Sequence, residues 1–180
     1  MSRQMKKIER EGQTPMLMFD NSVFIPLVLK EIEEGRSETS IIIARGVSMR
    51  PFIEDGRDKL VLGKVNSIAV GDVILAEVVP SIFICHRVVR IENGMVTMRG
   101  DGNVVGTETF PLEQARAKVV QVVRKGKTYT LATSKIWKVY SALWPRSSFL
   151  RRYLLALYRL LWMRQIPARL TVIFQTKKSV

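Results

Sequence analysis

The chain contains few of the residue types that build disulfide and metal sites. Among its 180 residues there is one cysteine, Cys85, and one histidine, His86. A single thiol excludes an internal disulfide framework and a cysteine-based zinc site. The composition therefore requires no oxidising compartment, and we predict no metal and no cofactor. Any reaction that uses an imidazole as its base near neutral pH must use His86.

Long apolar runs are also scarce. A transmembrane helix needs about 20 predominantly apolar residues, and charged residues or prolines interrupt every candidate stretch. Near the N-terminus, Glu9, Glu11 and Pro15 stand where the apolar core of a secretory signal would begin. We therefore expect neither a signal peptide nor a transmembrane helix. The expected location is the cytoplasm or the periphery of a membrane.

Acidic residues are absent from the C-terminal third. Residues 114–180 contain 15 Lys/Arg and no Asp or Glu, whereas residues 1–113 contain 14 Lys/Arg and 16 Asp/Glu, so the net charge of +13 arises from the last third. Within it, residues 134–180 combine arginines, tryptophans, tyrosines and leucine-rich faces, which favours peripheral contact with an anionic membrane. Nucleic-acid binding is an unfavoured alternative. Packing of these apolar faces on the rest of the protein is another.

Hydrophobic periodicity indicates a β-rich middle between helical ends. We predict a mobile tail at 1–16, an N-terminal helical segment at 17–36, a β-rich domain at 37–132 and a basic, aromatic helical extension at 133–180. Strands are predicted at 39–45, 58–64, 73–78, 82–91, 94–99, 117–124 and 127–132. Many short strands without intervening helices indicate a mainly β fold, either an antiparallel β-barrel or a folded sheet, with C-terminal amphipathic helices.

One serine follows the first predicted strand in a Gly/Pro-rich turn, where a hydroxyl can be exposed as a nucleophile. Ser48 would need a base, for which His86 is the candidate, and Asp101 is the best-placed supporting carboxylate. The neighbours Gly46 and Met49 would support the turn and the oxyanion site, to which the Ser48 backbone N–H is a natural donor. The alternative is structural, with a serine that bonds its own turn and a histidine that packs in a strand.

Four motifs occur in the order seen in the signal peptidase I superfamily. They are Gly46-Val47-Ser48-Met49-Arg50-Pro51, Gly71-Asp72-Val73-Ile74, His86-Arg87-Val88 and Arg99-Gly100-Asp101-Gly102-Asn103. The chain resembles the branch with histidine in place of the bacterial catalytic lysine, and the superfamily shares its β-rich fold with self-cleaving SOS repressors. The resemblance implies a serine endopeptidase that cleaves leader, signal or other protein segments. It also implies that Ser48 is the nucleophile, His86 the general base and Asp101 the supporting acid.

The sequence departs from that family pattern in three places. Gly46 stands where many bacterial signal peptidases carry a hydroxyl oxyanion donor, and Arg57 interrupts a common Gly-Asp pair. We also expect no counterpart of the usual N-terminal anchor. The basic C-terminal region is a candidate replacement for that anchor. The alternative function is a catalytically inactive β-domain that binds peptides or acts as a regulator. A Ser48–His86 separation well beyond hydrogen-bond reach would favour this alternative.

Overall fold

The computed structural model describes residues 21–144 and 148–163, and over these residues the chain is mainly β, as predicted. One helix precedes the strands and two follow them. The elements are α1 (Asn21–Glu33), β1 (Thr39–Ile43), β2 (Lys59–Gly63), β3 (Val73–Val79), β4 (Ile82–Glu92), β5 (Met95–Arg99), β6 (Glu108–Pro111), β7 (Ala115–Arg124), β8 (Lys127–Thr130), α2 (Lys135–Leu143) and α3 (Ser148–Met163). The predicted mobile tail at 1–16 lies outside the described residues.

The eight strands form one open antiparallel sheet. Its order is β1-β2-β7-β3-β4-β5-β6, and β8 pairs with the end of β7. The two predicted architectures were a β-barrel and a folded sheet. In the part of the chain that the structure describes, the strands form an open sheet and not a closed barrel. Short hairpins join β3 to β4, β4 to β5 and β7 to β8, as expected where the strands are separated by only a few turn residues.

Helix α1 covers one face of the sheet. Its apolar residues recur at three- and four-residue spacing, and four of them are buried against β1, β2, β3 and β7: Ile25, Val28, Leu29 and Ile32. The helix is followed by Gly35 with φ of +69°, a left-handed conformation that glycine adopts without strain. The predicted helix and its glycine terminus are both confirmed.

The opposite face of the sheet carries a second apolar cluster. Side chains alternate along β3, so that Val73 and Leu75 contribute to the cluster beneath α1, whereas Ile74 and Ala76 contribute to the other. Two-sided burial explains why residues 73–76 of β3 are continuously apolar rather than alternating.

Strand β6 was not among the predicted strands. It has only four residues, it ends in Pro111, and it pairs with β5 at the end of the sheet. A proline is tolerated at an edge because no further strand needs its missing N–H. Phe110 anchors the strand in the second cluster and is 2% exposed. This short edge strand proves to be central to the site described below.

The C-terminal helices pack partly against the turn region that contains Ser48 and Phe52. Trp137, Tyr140 and Trp144 are the buried side chains of α2 and its end, and all three rings contact Phe52. Helix α3 adds Leu155 to this cluster. Both predicted helices are present, while the predicted continuation beyond residue 163 lies outside the described residues. Among the described residues, no helix has the length and apolarity needed to cross a membrane.

Candidate active site

Ser48 and His86 are in direct contact. Ser48 lies in the turn that follows β1, and His86 lies in β4 opposite Ile74 of β3. The distance from Ser48 Oγ to His86 Nε2 is 2.8 Å. Although 38 residues separate them in the chain, the sheet brings the only imidazole of the protein within hydrogen-bond reach of this hydroxyl. His86 is 6% exposed, so packing fixes the position of its ring.

Glu108 contacts the other side of the same imidazole. Its Oε2 lies 2.8 Å from His86 Nδ1, and its side chain is 28% exposed. An ionised carboxylate can only accept hydrogen bonds, so Nδ1 must carry the proton that it donates to Glu108. In neutral His86 this leaves a lone pair on Nε2, which can accept the hydroxyl proton of Ser48. The three side chains thus have the connectivity of a nucleophile, a base and a group that orients the base.

Asp101 does not hold the position predicted for it. Both its oxygens accept hydrogen bonds from Arg87, at 2.8 Å from Nε to Oδ1 and 2.8 Å from Nη2 to Oδ2. The two side chains are each 1% exposed. A bidentate, buried pair of this kind uses both carboxylate oxygens of Asp101. Asp101 therefore pairs with Arg87, and Glu108 occupies the position beside His86 that was predicted for Asp101.

The Arg87–Asp101 pair connects the site to α2. Arg87 Nη1 also donates to the Gly71 carbonyl oxygen at 2.7 Å and to Ser141 Oγ at 2.8 Å. Trp144 Nε1 donates to the backbone oxygen of Asp101 at 3.1 Å. Burial opposes the charge of Arg87, but the neighbouring Asp101 outweighs it and raises the pKa of Arg87. The motif residues Gly71, Arg87 and Asp101 therefore form a scaffold behind the Ser48–His86 pair.

The turn at residues 100–102 supports the Ser48 backbone directly. The Gly102 N–H donates to the Ser48 carbonyl oxygen at 2.7 Å. A Cβ added at Gly100 would lie 2.6 Å from that same oxygen, closer than real Cβ atoms approach backbone. Glycine at position 100 is therefore required for the close approach of the two turns, and Asp101 holds the supporting turn in place through Arg87.

Gly46 and Met49 shape the serine turn from both sides. Gly46 adopts φ of +94°, and its N–H donates to Asp55 Oδ1 at 3.0 Å, so this N–H is already occupied. Met49 is 5% exposed, and its carbonyl oxygen accepts hydrogen bonds from the N–H groups of residues 52 and 53. No described residue accepts a hydrogen bond from the Ser48 N–H, which leaves it free to stabilise an oxyanion.

Arg57, one of the departures from the family pattern, belongs to a second charge cluster. Asp58 is fully buried and accepts hydrogen bonds from Arg57 and Arg124, with N–O distances of 2.8 to 3.0 Å, and from the backbone N–H of Glu54 at 2.9 Å. Burial alone would raise the pKa of Asp58, but the hydrogen bonds from Arg57 and Arg124 outweigh it and hold the pKa well below its ordinary value. This cluster fixes the loop between the serine turn and β2.

A groove of about 380 Å³ opens beside Ser48 and His86. It is lined mainly by apolar residues of α1, β1, β2 and β4, including Ile25, Ile42, Leu60 and Phe83. Its volume lies within the range of roughly 300–1,000 Å³ that is usual for ligand pockets.

Two strand edges flank this groove. β1 ends the path of the described sheet and pairs only with β2. β4 pairs with β5 from Arg87 onward, so residues 82–86 pair with β3 alone. Unpaired backbone groups at such edges can bind an extended peptide by forming additional ladder hydrogen bonds.

Cys85 also lines the groove but is not suited to nucleophilic attack. Burial raises the pKa of its thiol to about 12, so the thiolate is scarce near neutral pH. It packs with the cluster beneath α1, as a small core residue. Among the described residues, no group of three His, Cys, Asp or Glu side chains is arranged to hold a metal ion.

The contact expected between Ser48 and His86 is present, whereas Glu108 was not among the predicted site residues. The signal that could have indicated it is the short alternation Glu108-Thr109-Phe110, which resembles a strand with one inward aromatic residue.

No protein-family model matches the chain, and a search of curated proteins finds no match either.

Proposed function

We propose that the chain is a serine endopeptidase of the signal peptidase type. The observation that carries this proposal is the continuous contact from Ser48 Oγ to His86 Nε2 and from His86 Nδ1 to Glu108 Oε2, each 2.8 Å long. A serine hydroxyl attacks a carbonyl efficiently only when a base removes its proton in the same step. The arrangement supplies that base and fixes its tautomer. The motifs that contain Ser48 and His86 agree with it.

In the proposed reaction, His86 Nε2 takes the hydroxyl proton while Ser48 Oγ forms a bond to the carbonyl carbon of the substrate. The electron pair of the carbonyl moves to its oxygen, which the Ser48 N–H stabilises. Collapse of this intermediate breaks the C–N bond, and His86 gives the proton to the departing amine. Water, deprotonated by the same imidazole, then hydrolyses the Ser48 ester. Glu108 stabilises the imidazolium in both stages.

The substrate that fits the groove is an extended peptide with apolar side chains. The unpaired edges of β1 and of residues 82–86 in β4 would align its backbone, and the apolar lining would take alternate side chains. Leader segments and other exposed chain segments meet this requirement. A folded domain does not, because its backbone groups are already paired.

The experiment is to incubate the purified chain with a mixture of unstructured peptides and to identify cleaved bonds by mass spectrometry. We expect cleavage after a restricted set of residues, and its loss in His86→Ala. Peptides that bind without being cut by the wild-type protein would contradict the peptidase and support the second candidate, a peptide-binding module. That candidate draws its own support from the groove and the strand edges, which require no catalysis.

A further inference from the structure

Helix α2 is apolar on two sides. Its inward side consists of the buried aromatic residues described above. Its outward side carries Ile136, Val139 and Leu143, which are 74%, 58% and 61% exposed. Their spacing of three and four residues places them in one stripe along the helix. The exposed residues Lys135 and Lys138 lie on the same outward half of α2.

Helix α3 repeats this arrangement. Leu155 is buried at 2% exposure, whereas five other large apolar residues of the helix are 40% to 58% exposed: Tyr153, Leu154, Leu157, Leu160 and Leu161. We refer to these five residues together with Ile136, Val139 and Leu143 as the outer helical surface. Apolar residues that are grouped in this way mark interaction sites more often than scattered ones do.

The positive charge of this region indicates which kind of partner the outer helical surface would bind. The exposed ionic side chains on α2 and α3 include Lys135, Lys138, Arg152 and Arg159, and residues 114–180 contain no Asp or Glu. A second copy that docked through the same surface would bring cations together with no carboxylate to pair them. An anionic partner would lower this repulsion, and a lipid bilayer also accepts apolar side chains without specific shape.

Helix α3 is also fixed to the nucleophile-bearing turn. Tyr158 donates a hydrogen bond to Glu54 Oε2 at 3.0 Å, and Arg159 Nη2 approaches the Gly102 carbonyl oxygen at 3.4 Å. Leu155 lines a cleft of about 230 Å³ together with Val47, the neighbour of Ser48. A partner that holds α3 therefore also sets the position of the serine turn.

We propose that the outer helical surface docks on an anionic lipid bilayer, with its apolar residues in the interface and its cations at the headgroups. This docking does not depend on catalysis. Its consequence for the substrate does rest on the proposed peptidase function: the enzyme would act on peptide segments that emerge close to a membrane surface.

The test is co-sedimentation of the full chain with phosphatidylglycerol-containing vesicles and with phosphatidylcholine vesicles. We expect at least about tenfold stronger partition onto the anionic vesicles, and weaker binding in high salt. Leu157→Glu combined with Leu161→Glu should reduce binding by about tenfold or more. The matched control, Val79→Glu with Ile82→Glu, replaces equally exposed residues at the β3–β4 hairpin and should change binding less than about twofold.

A second pair of variants tests the charges without changing apolar residues. Lys135→Gln with Lys138→Gln should weaken anionic binding several-fold more than Lys125→Gln with Lys127→Gln in the β7–β8 turn. Binding by the leucine variant equal to wild type, equal partition onto both vesicles, or a dimer in light scattering that the leucine variant abolishes would overturn the proposal. Ser48→Ala should bind anionic vesicles as strongly as wild type. Vesicle binding is thus tested independently of peptide cleavage, so the failure of one proposal can be distinguished from the failure of the other.

Discussion

Glu108 Oε2 lies 2.8 Å from His86 Nδ1, across the imidazole from the equally short contact between Nε2 and Ser48 Oγ. The strand that carries Glu108 is four residues long and lies at the end of the sheet. The carboxylate that would orient the proposed base therefore comes from a short edge strand, while the more central Asp101 stabilises the scaffold. We therefore expect substitution of Glu108 to lower the rate of cleavage and substitution of Asp101 to lower the stability of the fold.

Glu108→Gln should lower kcat of peptide cleavage by about 10²–10⁴-fold with little change in KM. The amide cannot stabilise the imidazolium that forms in the transition state, and its NH₂ group can favour the wrong tautomer of His86. Because the Glu108 side chain is 28% exposed, we expect a small change in melting temperature. The pH–rate profile should also shift, and Glu108→Asp should restore part of the activity.

Glu113→Gln, in the exposed turn after β6, removes the same charge without touching His86 and is the matched control. It should retain wild-type kcat. Equal activities of the Glu108 and Glu113 variants would show that Glu108 does not position the base.

Asp101→Asn should act mainly on stability. It leaves the Arg87 guanidinium buried at 1% exposure without its counter-charge, and loss of one partner of such a pair costs about 3–5 kcal/mol. Denaturant unfolding should show this loss, together with reduced activity that follows from displacement of the turn beneath Ser48. An unfolding free energy within about 1 kcal/mol of wild type would contradict the scaffold role.

The sequence predicted the elements better than it predicted the partners of charged residues. The β-rich middle, α1 with its terminal glycine, and the two C-terminal helices follow from hydrophobic periodicity, which reflects local geometry. The pairing of His86 with Glu108 depends on the register of β5 and β6, and a four-residue strand ending in proline carries almost no periodic signal. Asp101 was the carboxylate predicted to lie beside His86. In the structure, both of its oxygens bind Arg87 instead.

Asp58 should make the stability of the protein sensitive to acid. Its pKa is depressed in the folded protein by Arg57 and Arg124 despite burial. The stabilising contribution is therefore present above the ordinary carboxyl pKa of about 4 and is lost as the pH falls below it. The contribution of this group should fall by about 1.4 kcal/mol per pH unit in that range. Asp58→Asn should be less stable at pH 7 but should lose less stability between pH 4 and pH 3. Parallel pH profiles of the two proteins would contradict this assignment.

Cys85 should react slowly with thiol reagents in the folded protein. Because burial raises its pKa to about 12, only about one thiol in 10⁴ would be ionised at pH 8. Iodoacetamide labelling at pH 8 should be at least about 100-fold slower in native than in denaturant-unfolded protein. Cys85→Ala should retain peptide cleavage, and loss of cleavage in a folded Cys85→Ala variant would point to a thiol mechanism.

The most direct measurement is the rate of peptide cleavage by Ser48→Ala compared with wild type and with Ser67→Ala. Ser67 is an exposed serine outside the helices and strands and supplies a matched removal of one hydroxyl. We predict a loss of at least about 10³-fold in kcat/KM for Ser48→Ala, wild-type activity for Ser67→Ala, and similar melting temperatures for all three proteins. Cleavage by folded Ser48→Ala at the wild-type rate would contradict the proposal that Ser48 is the nucleophile.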